Sequence, residues 1–281
     1  MSPRPRYLSV FLMFARNSLV REMTFRANFV IELISSFSWS LMNLAFYTLV
    51  YHLMAREGRT EIAGWSQYEF FVFIATTIFV NSLVEAFFMD NAEELSELTR
   101  TGGLDFALLK PIDTQFLVSL RKVNWSGVAK LLLVAGLLAY SLPRIEGLRL
   151  TALHVALYLL YVVLGVMILY SVMIALAATS IWLGRNQSLY DFWFYITNFS
   201  RYPMEIYDGP YGRPLRHIFT FVVPILVVIN VPAAMLAKPL TADSPHRLFL
   251  AAVALAATLA SLAASRWVFQ RALLSYRSAS S

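Results

Sequence analysis

From Leu153 to Leu183 the chain contains not one Asp, Glu, Lys or Arg. Crossing the hydrocarbon of a bilayer as a helix takes ~20 apolar residues. Four more stretches come close to the same condition, at Asn28–Met54, Phe70–Met89, Val123–Leu142 and Leu248–Phe269. A water-soluble core cannot use so many uncharged runs of that length. The whole chain is 58% hydrophobic and 14% charged, whereas a soluble domain is about half apolar and about a quarter charged. The fold class read from this is an all-α polytopic membrane protein, with residues 1–281 forming one transmembrane domain.

Charge refines the topology. The net charge is +6, and the basic residues mark the ends of the apolar runs, so topology and lipid headgroups explain them better than nucleic acid does. Residues 1–27 hold Arg4, Arg6, Arg16, Arg21 and Arg26 without a small-residue cleavage site, so an uncleaved amino terminus is expected. Leu8, Phe11, Leu12, Phe14 and Leu19 recur at helical spacing between those arginines, which predicts an interfacial helix lying on the membrane. Six crossings put both termini on the cytoplasmic side, with the arginine-rich start and the basic loop before the third span. The alanine-rich Leu248–Phe269 run suits close helix packing.

The fifth crossing is ambiguous. Both 187–207 and 217–237 are apolar enough, and counting loop lysines and arginines slightly favours 217–237. That stretch holds Pro224 and Pro232, however, and proline removes a helical hydrogen bond. A broken or re-entrant segment is therefore the alternative, tolerated where protein or water surrounds the backbone.

Between the second and third spans lies a polar insertion, residues 90–113. Asp90 or Asn91 can cap a helix start, and Glu93 and Glu94 suit its first turn. Ala92, Leu95 and Leu98 share one face. Glu97 and Arg100 are spaced to pair. Gly102 is placed to end the helix in the left-handed conformation, Pro111 stops the next segment, and Asp113 can cap the helix leading into the third span. These residues predict a short, sharply bounded inner helix, which either docks something or only anchors the loop.

Several chemistries are excluded by the residues. Without cysteine there is no disulfide, thiolate metal site or cysteine nucleophile. No His, Asp and Glu cluster has metal-ligand spacing, and neither G-x-S-x-G nor G-x-x-x-x-G-K-[ST] occurs, so the chain carries no ATP-binding loop of its own. Charged groups inside a membrane span are costly and mark candidate functional positions. Glu32, Glu85 and Asp191 are such positions, with Lys130 or Arg121 as candidate partners for the glutamates. Trp39, Phe46, Tyr47, Phe79, Phe87, Trp193 and Tyr195 either line a route for a flat or cationic molecule or face lipid.

Gly102 or Gly103, Leu104, Asp105, Leu108, Leu109, Lys110 and Pro111, followed by "QFLVSLR", resemble the G-x-LD-x-L-L-x-KP signature of permease subunits of type-2 ABC exporters. The stretch "RYPMEIYDGPYGRPLRHIFTFVVPILVVINVPAAMLA" resembles the same family's outer loop and re-entrant pair. The resemblance implies that 187–207 is the fifth crossing and that an outer loop and re-entrant segment occupy 208–238. It also implies that the inner helix couples to a separate ATPase, present in two copies with ATP and Mg, while a second permease completes the assembly. Leu95 and Leu98 would anchor in that partner, with Glu93, Glu94 and Arg100 setting register. The implied cargo is hydrophobic or amphipathic, cationic drug-like molecules included, and the implied location is the bacterial cytoplasmic membrane. The alternative is an ion-driven carrier, with Glu32, Glu85 and Asp191 moving protons and the Pro224/Pro232 segment holding substrate. The lack of an inverted repeat opposes it.

Overall fold

A computed structural model describes residues 6–183, 198–238 and 245–276. Among these residues, five helices are long and apolar enough to cross a membrane. They are α2 (Arg26–Arg56), α3 (Gln67–Val84) with its continuation, α7 (Trp125–Ser141), α8 (Ala152–Ala178) with the short α9 (Ser180–Leu183), and α12 (Pro245–Ser275). A sixth arises only if two shorter pieces count as one span: Arg213–Val222, which begins with α10 (Arg213–His217), and α11 (Ile225–Ala237). These pieces meet at 87°. The bend falls at Val223 and Pro224, which both leave helical geometry, whereas Pro232 sits inside α11 without breaking it. Most of 187–207, including Asp191, Trp193 and Tyr195, lies outside the described residues.

Helix starts follow side-chain chemistry. Ser66 and Glu69 form a reciprocal capping box at α3. Thr151 and His154 do the same at α8, which gives His154 a structural task. Asn124 caps α7 by accepting from the Gly127 amide at 3.1 Å. A two-stranded hairpin, β1 (Glu61–Ile62) paired with β2 (Trp65–Ser66), closes the connection from α2 to α3. The Tyr51 hydroxyl donates to its Trp65 carbonyl at 2.8 Å.

The core centres on α8, which packs against α3, α11 and α12, while α3 packs on α7. At Gly165 a β-carbon would stand 2.8 Å from the Val228 carbonyl, so glycine lets α8 and α11 touch backbone to backbone. The first span behaves differently. Of all α2, only Tyr51 is buried, and the helix stands partly away from the bundle.

One expectation is corrected. The inner helix does not start afresh at Asp90 or Asn91. The second span runs on through a π-helical turn, Glu85–Met89, into α4 (Asp90–Thr101). No glycine or proline interrupts residues 67–101, so nothing opens a cap there. Asn91 instead joins two segments, donating to the Phe87 and Lys122 carbonyls and accepting from the Lys122 amide, each at 2.8 Å. The amino-terminal helix α1 (Tyr7–Thr24) separates from α2 at Phe25 and docks on the start of α7. Glu22 accepts from the Trp125 amide at 2.9 Å, and Ser18 accepts from Val123 at 3.1 Å. Leu8, Leu12, Leu19 and Val20 remain exposed on the rest of α1.

Candidate functional site

Two places gather the residues singled out above: the inner region from α4 to α6 (Thr114–Ser119), and a cleft between α2, α3 and α7.

The inner region begins where α4 ends. Gly102 takes φ 74, the left-handed conformation that glycine adopts without a side-chain penalty. Gly103 then opens α5 (Gly103–Leu108), and a β-carbon there would meet Leu98 at 2.8 Å. Leu98 therefore folds over the glycine, partly buried against the core. Leu95 is 0% exposed and Leu104 equally buried. This corrects the expectation that Leu95 and Leu98 face a partner: they seat α4 on its own chain. Alongside them, Glu94 is held by Lys122 at 3.3 Å and Arg121 at 3.6 Å. Glu93 is half-buried. Glu97 and Arg100 pair at 2.6 Å in solvent.

What does face outward is the tip of α5. Phe106 is 72% exposed and Leu109 81%, with Lys110 and Pro111 exposed beside them. The signal was present in the sequence. Leu104 and Ala107 fill one face of this short helix, so apolar residues at 106 and 109 are surplus to its own packing.

The tip is tied back to distant spans. Asp113 caps α6 through the Phe116 amide at 2.9 Å. The same carboxylate receives both arms of the Arg266 guanidinium from α12, at 3.1 and 2.5 Å. Burial alone would raise the Asp113 carboxyl, but Arg266 and the Phe116 amide together hold it below its ordinary value. Arg266 also donates to Gln115 at 2.9 Å. Gln115 donates to the Tyr170 hydroxyl of α8 at 3.0 Å, and Ser119 meets that hydroxyl at 2.9 Å. Just past the end of α12, Tyr276 lies beside Asp105. Arg266 is the residue that local sequence patterns did not single out. Its signal was an arginine inside an otherwise uncharged run.

The cleft occupies about 200 Å3. Ser36, Ser40, Asn43 and Tyr47 line it from α2, and Thr77, Asn81 and Ser82 from α3. Glu85, at the inner end, is bound to Lys130 of α7 at 2.6 Å, one of the two partners its position suggested. Arg201 also lines the cleft. Glu32 lies elsewhere, against Ser126 at 2.5 Å near the α7 cap. Phe79 packs on Tyr158 in the core, and Phe87 lies tilted against Phe88. Among the described residues no group of acidic or histidine side chains has the arrangement to hold a metal ion.

The arrangement is that of a membrane bundle with a polar cleft inside and an apolar tip on a braced inner platform. No curated protein and no solved structure matches the chain. The sequence model of one family, described as ABC-2 family transporter protein, matches residues 37–280, and the chain therefore belongs to that family, as a multi-pass membrane permease of an ABC transporter.

Proposed function

We propose that this chain is the transmembrane subunit of an ABC exporter of the cytoplasmic membrane, with both termini inside. It pairs with a second permease, and two copies of a separate ATPase bind the ATP and Mg. Permeases of this family work with such an ATPase. The observation that carries the docking assignment is the tip of α5, where Phe106 and Leu109 are exposed on a short helix that follows, across the left-handed Gly102, the helix continuous with the second span. The tip is small and apolar with Lys110 exposed beside it, which suits insertion into a groove on a partner. Gly102, Gly103, Leu104 and Asp105 shape its base, and Leu95 holds it to the bundle. Cargo, a hydrophobic or amphipathic molecule, passes by way of the cleft at Glu85, and the bent Pro224/Pro232 pair re-enters the membrane from outside.

Co-purification with the ATPase expressed alongside it tests the reading. Phe106→Arg with Leu109→Arg is expected to abolish association and ATP-driven transport while leaving the permease folded. Association unaffected by both changes would sink the docking assignment. Transport that persists without ATP but stops when the proton gradient collapses would favour the ion-driven carrier.

A further inference from the structure

We propose that the cleft between α2, α3 and α7 binds the polar head of an uncharged amphiphile, and that the Glu85–Lys130 pair makes it refuse cations. The role of the cleft in transport rests on the permease reading; its binding chemistry does not.

The argument starts from helical spacing. Ser36, Ser40 and Asn43 occupy one face of α2, and Thr77 and Asn81 occupy one face of α3 a turn above Glu85. The two polar faces line a common cleft rather than pack together. Hydrocarbon cannot satisfy such groups, and leaving a polar group unpaired there is costly. Part of that demand is met locally. Ser40 donates to the Ser36 carbonyl, Asn43 to Trp39 and Thr77 to Phe73, at 2.8, 2.8 and 2.9 Å. The Asn43 side-chain oxygen and the Asn81 side-chain amide make no hydrogen bond to any other described residue. They are an acceptor and a donor–acceptor group set across one space, the equipment for a hydroxyl- or amide-bearing head. Tyr47, Ile74 and Ile78 supply apolar walls to the same cleft.

Charge then narrows the class. Among the described residues Glu85 is the one carboxylate lining the cleft, and its Oε2 lies 2.6 Å from the Lys130 ammonium. A cationic ligand would have to displace Lys130 from that carboxylate, and Arg201 in the same lining adds repulsion. An anion finds Lys130 already neutralised by Glu85 and is left with Arg201 alone, itself exposed to solvent. A neutral head disturbs neither.

The permease in nanodiscs of zwitterionic lipid provides the test, by equilibrium binding of three radiolabelled probes: octyl glucoside (uncharged), tetraphenylphosphonium (cationic) and octyl sulfate (anionic). Octyl glucoside is expected to bind saturably and at least tenfold more tightly than either charged probe. Asn81→Leu should weaken it tenfold or more. Lys130→Gln, which bares Glu85, should raise tetraphenylphosphonium affinity about tenfold and leave the glucoside within threefold. The double variant Glu85→Gln, Lys130→Gln removes both charges, so it guards against misfolding of the single one, and it should bind like the wild type. Preference for either charged probe, glucoside binding indifferent to Asn81→Leu, or a Lys130→Gln variant still closed to the cation would each overturn the proposal. No ATPase is needed for these measurements. Glucoside binding without ATPase association therefore refutes the exporter reading alone, and ATPase association without glucoside binding refutes this one alone.

Discussion

Arg266→Met is the perturbation with the sharpest expected result. Methionine keeps length and apolar bulk in α12 but removes every donor. The wild-type guanidinium makes two bonds to Asp113 and one to Gln115. Hydrogen bonds to charged groups are worth ~1.5–3 kcal/mol. Here the two side chains are 43% and 33% exposed, which draws the pair toward the ~1 kcal/mol of a surface bridge. Loss of the fork should therefore loosen α6 by about 1–1.5 kcal/mol, close to a tenfold rise in its local opening. Hydrogen exchange of residues 113–119 reads this directly, and amides of α3 serve as the unmoved reference. With the partner ATPase in proteoliposomes, ATP turnover should stay within twofold while transport per ATP falls about fivefold. The reason is that α6 is then no longer clamped to α12 and, through Gln115 and Tyr170, to α8. Asp113→Asn retains a capping oxygen and should give an intermediate defect. Exchange unchanged in α6, or turnover and transport falling in proportion, would refute the idea that this network transmits movement.

The same carboxylate predicts a pH response. Because Arg266 and the Phe116 amide hold Asp113 below its ordinary value despite its burial, its contribution is full above the unfolded carboxyl pKa of ~3.9 and is lost as pH falls through the lower folded value. Exchange protection of α6 should be flat from neutral pH to about 4 and then decline, and Asp113→Asn should lack that decline. Gly165→Ala places a β-carbon 2.8 Å from the Val228 carbonyl, and overpacking of this kind costs ~1–3 kcal/mol; a lowered unfolding temperature is expected, and an unchanged one means α8 and α11 can part freely. Gly102→Ala forces an alanine to φ 74, a penalty of ~1–2 kcal/mol, and should weaken ATPase association without lowering cargo binding.

The spans were legible because hydropathy over ~20 residues depends on composition alone. The end of the inner helix at Gly102 was legible because φ near 74 belongs to glycine. The start of that helix was not. Asp90 and Asn91 are good capping residues, but a cap forms only where the chain leaves helical geometry, and here the flanking residues all favour continuing. Which leucines face a partner was equally hidden. Leu95, Leu98, Leu104 and Leu109 are alike in sequence, and only the packing of α4 and α5 on each other, on α6 and on α8 decides that the first three turn inward. Glu85 was marked by its cost in the membrane, and Lys130 was among its candidate partners. Arg266 carried the same mark, yet its partners Asp113 and Gln115 sit about 150 residues away in sequence, 153 and 151 respectively. Such pairing is a property of the fold rather than of any local pattern.

That hidden continuity bears on how the two candidate sites relate. Glu85 opens the π-helical turn and also closes the inner end of the cleft. The turn runs without a break into α4, which ends at Thr101, and Gly102 then turns the chain into α5, the short helix that carries Phe106 and leads to Leu109. A capped, separate coupling helix would need a flexible joint between docking and cargo. Among the described residues no such joint lies between Glu85 and Thr101, and the break comes only at Gly102, just before the tip. The chain has instead a pin at the middle of the rod, where the Asn124 amide donates to the Ala86 carbonyl at 2.8 Å and Gly127 lets α7 approach Ala86 so closely that a β-carbon would lie 3.1 Å away. A π turn leaves backbone carbonyls out of the regular ladder, which is why Ala86 can accept from another helix. Under the docking proposal, a push on α5 would reach α4 through Leu98 packed on Gly103 and act on a lever pivoted at Ala86, one residue beyond Glu85. The group nearest the pivot moves least in distance but turns most directly against its partner, and that partner is Lys130, the residue whose contact with Glu85 decides the charge of the cleft.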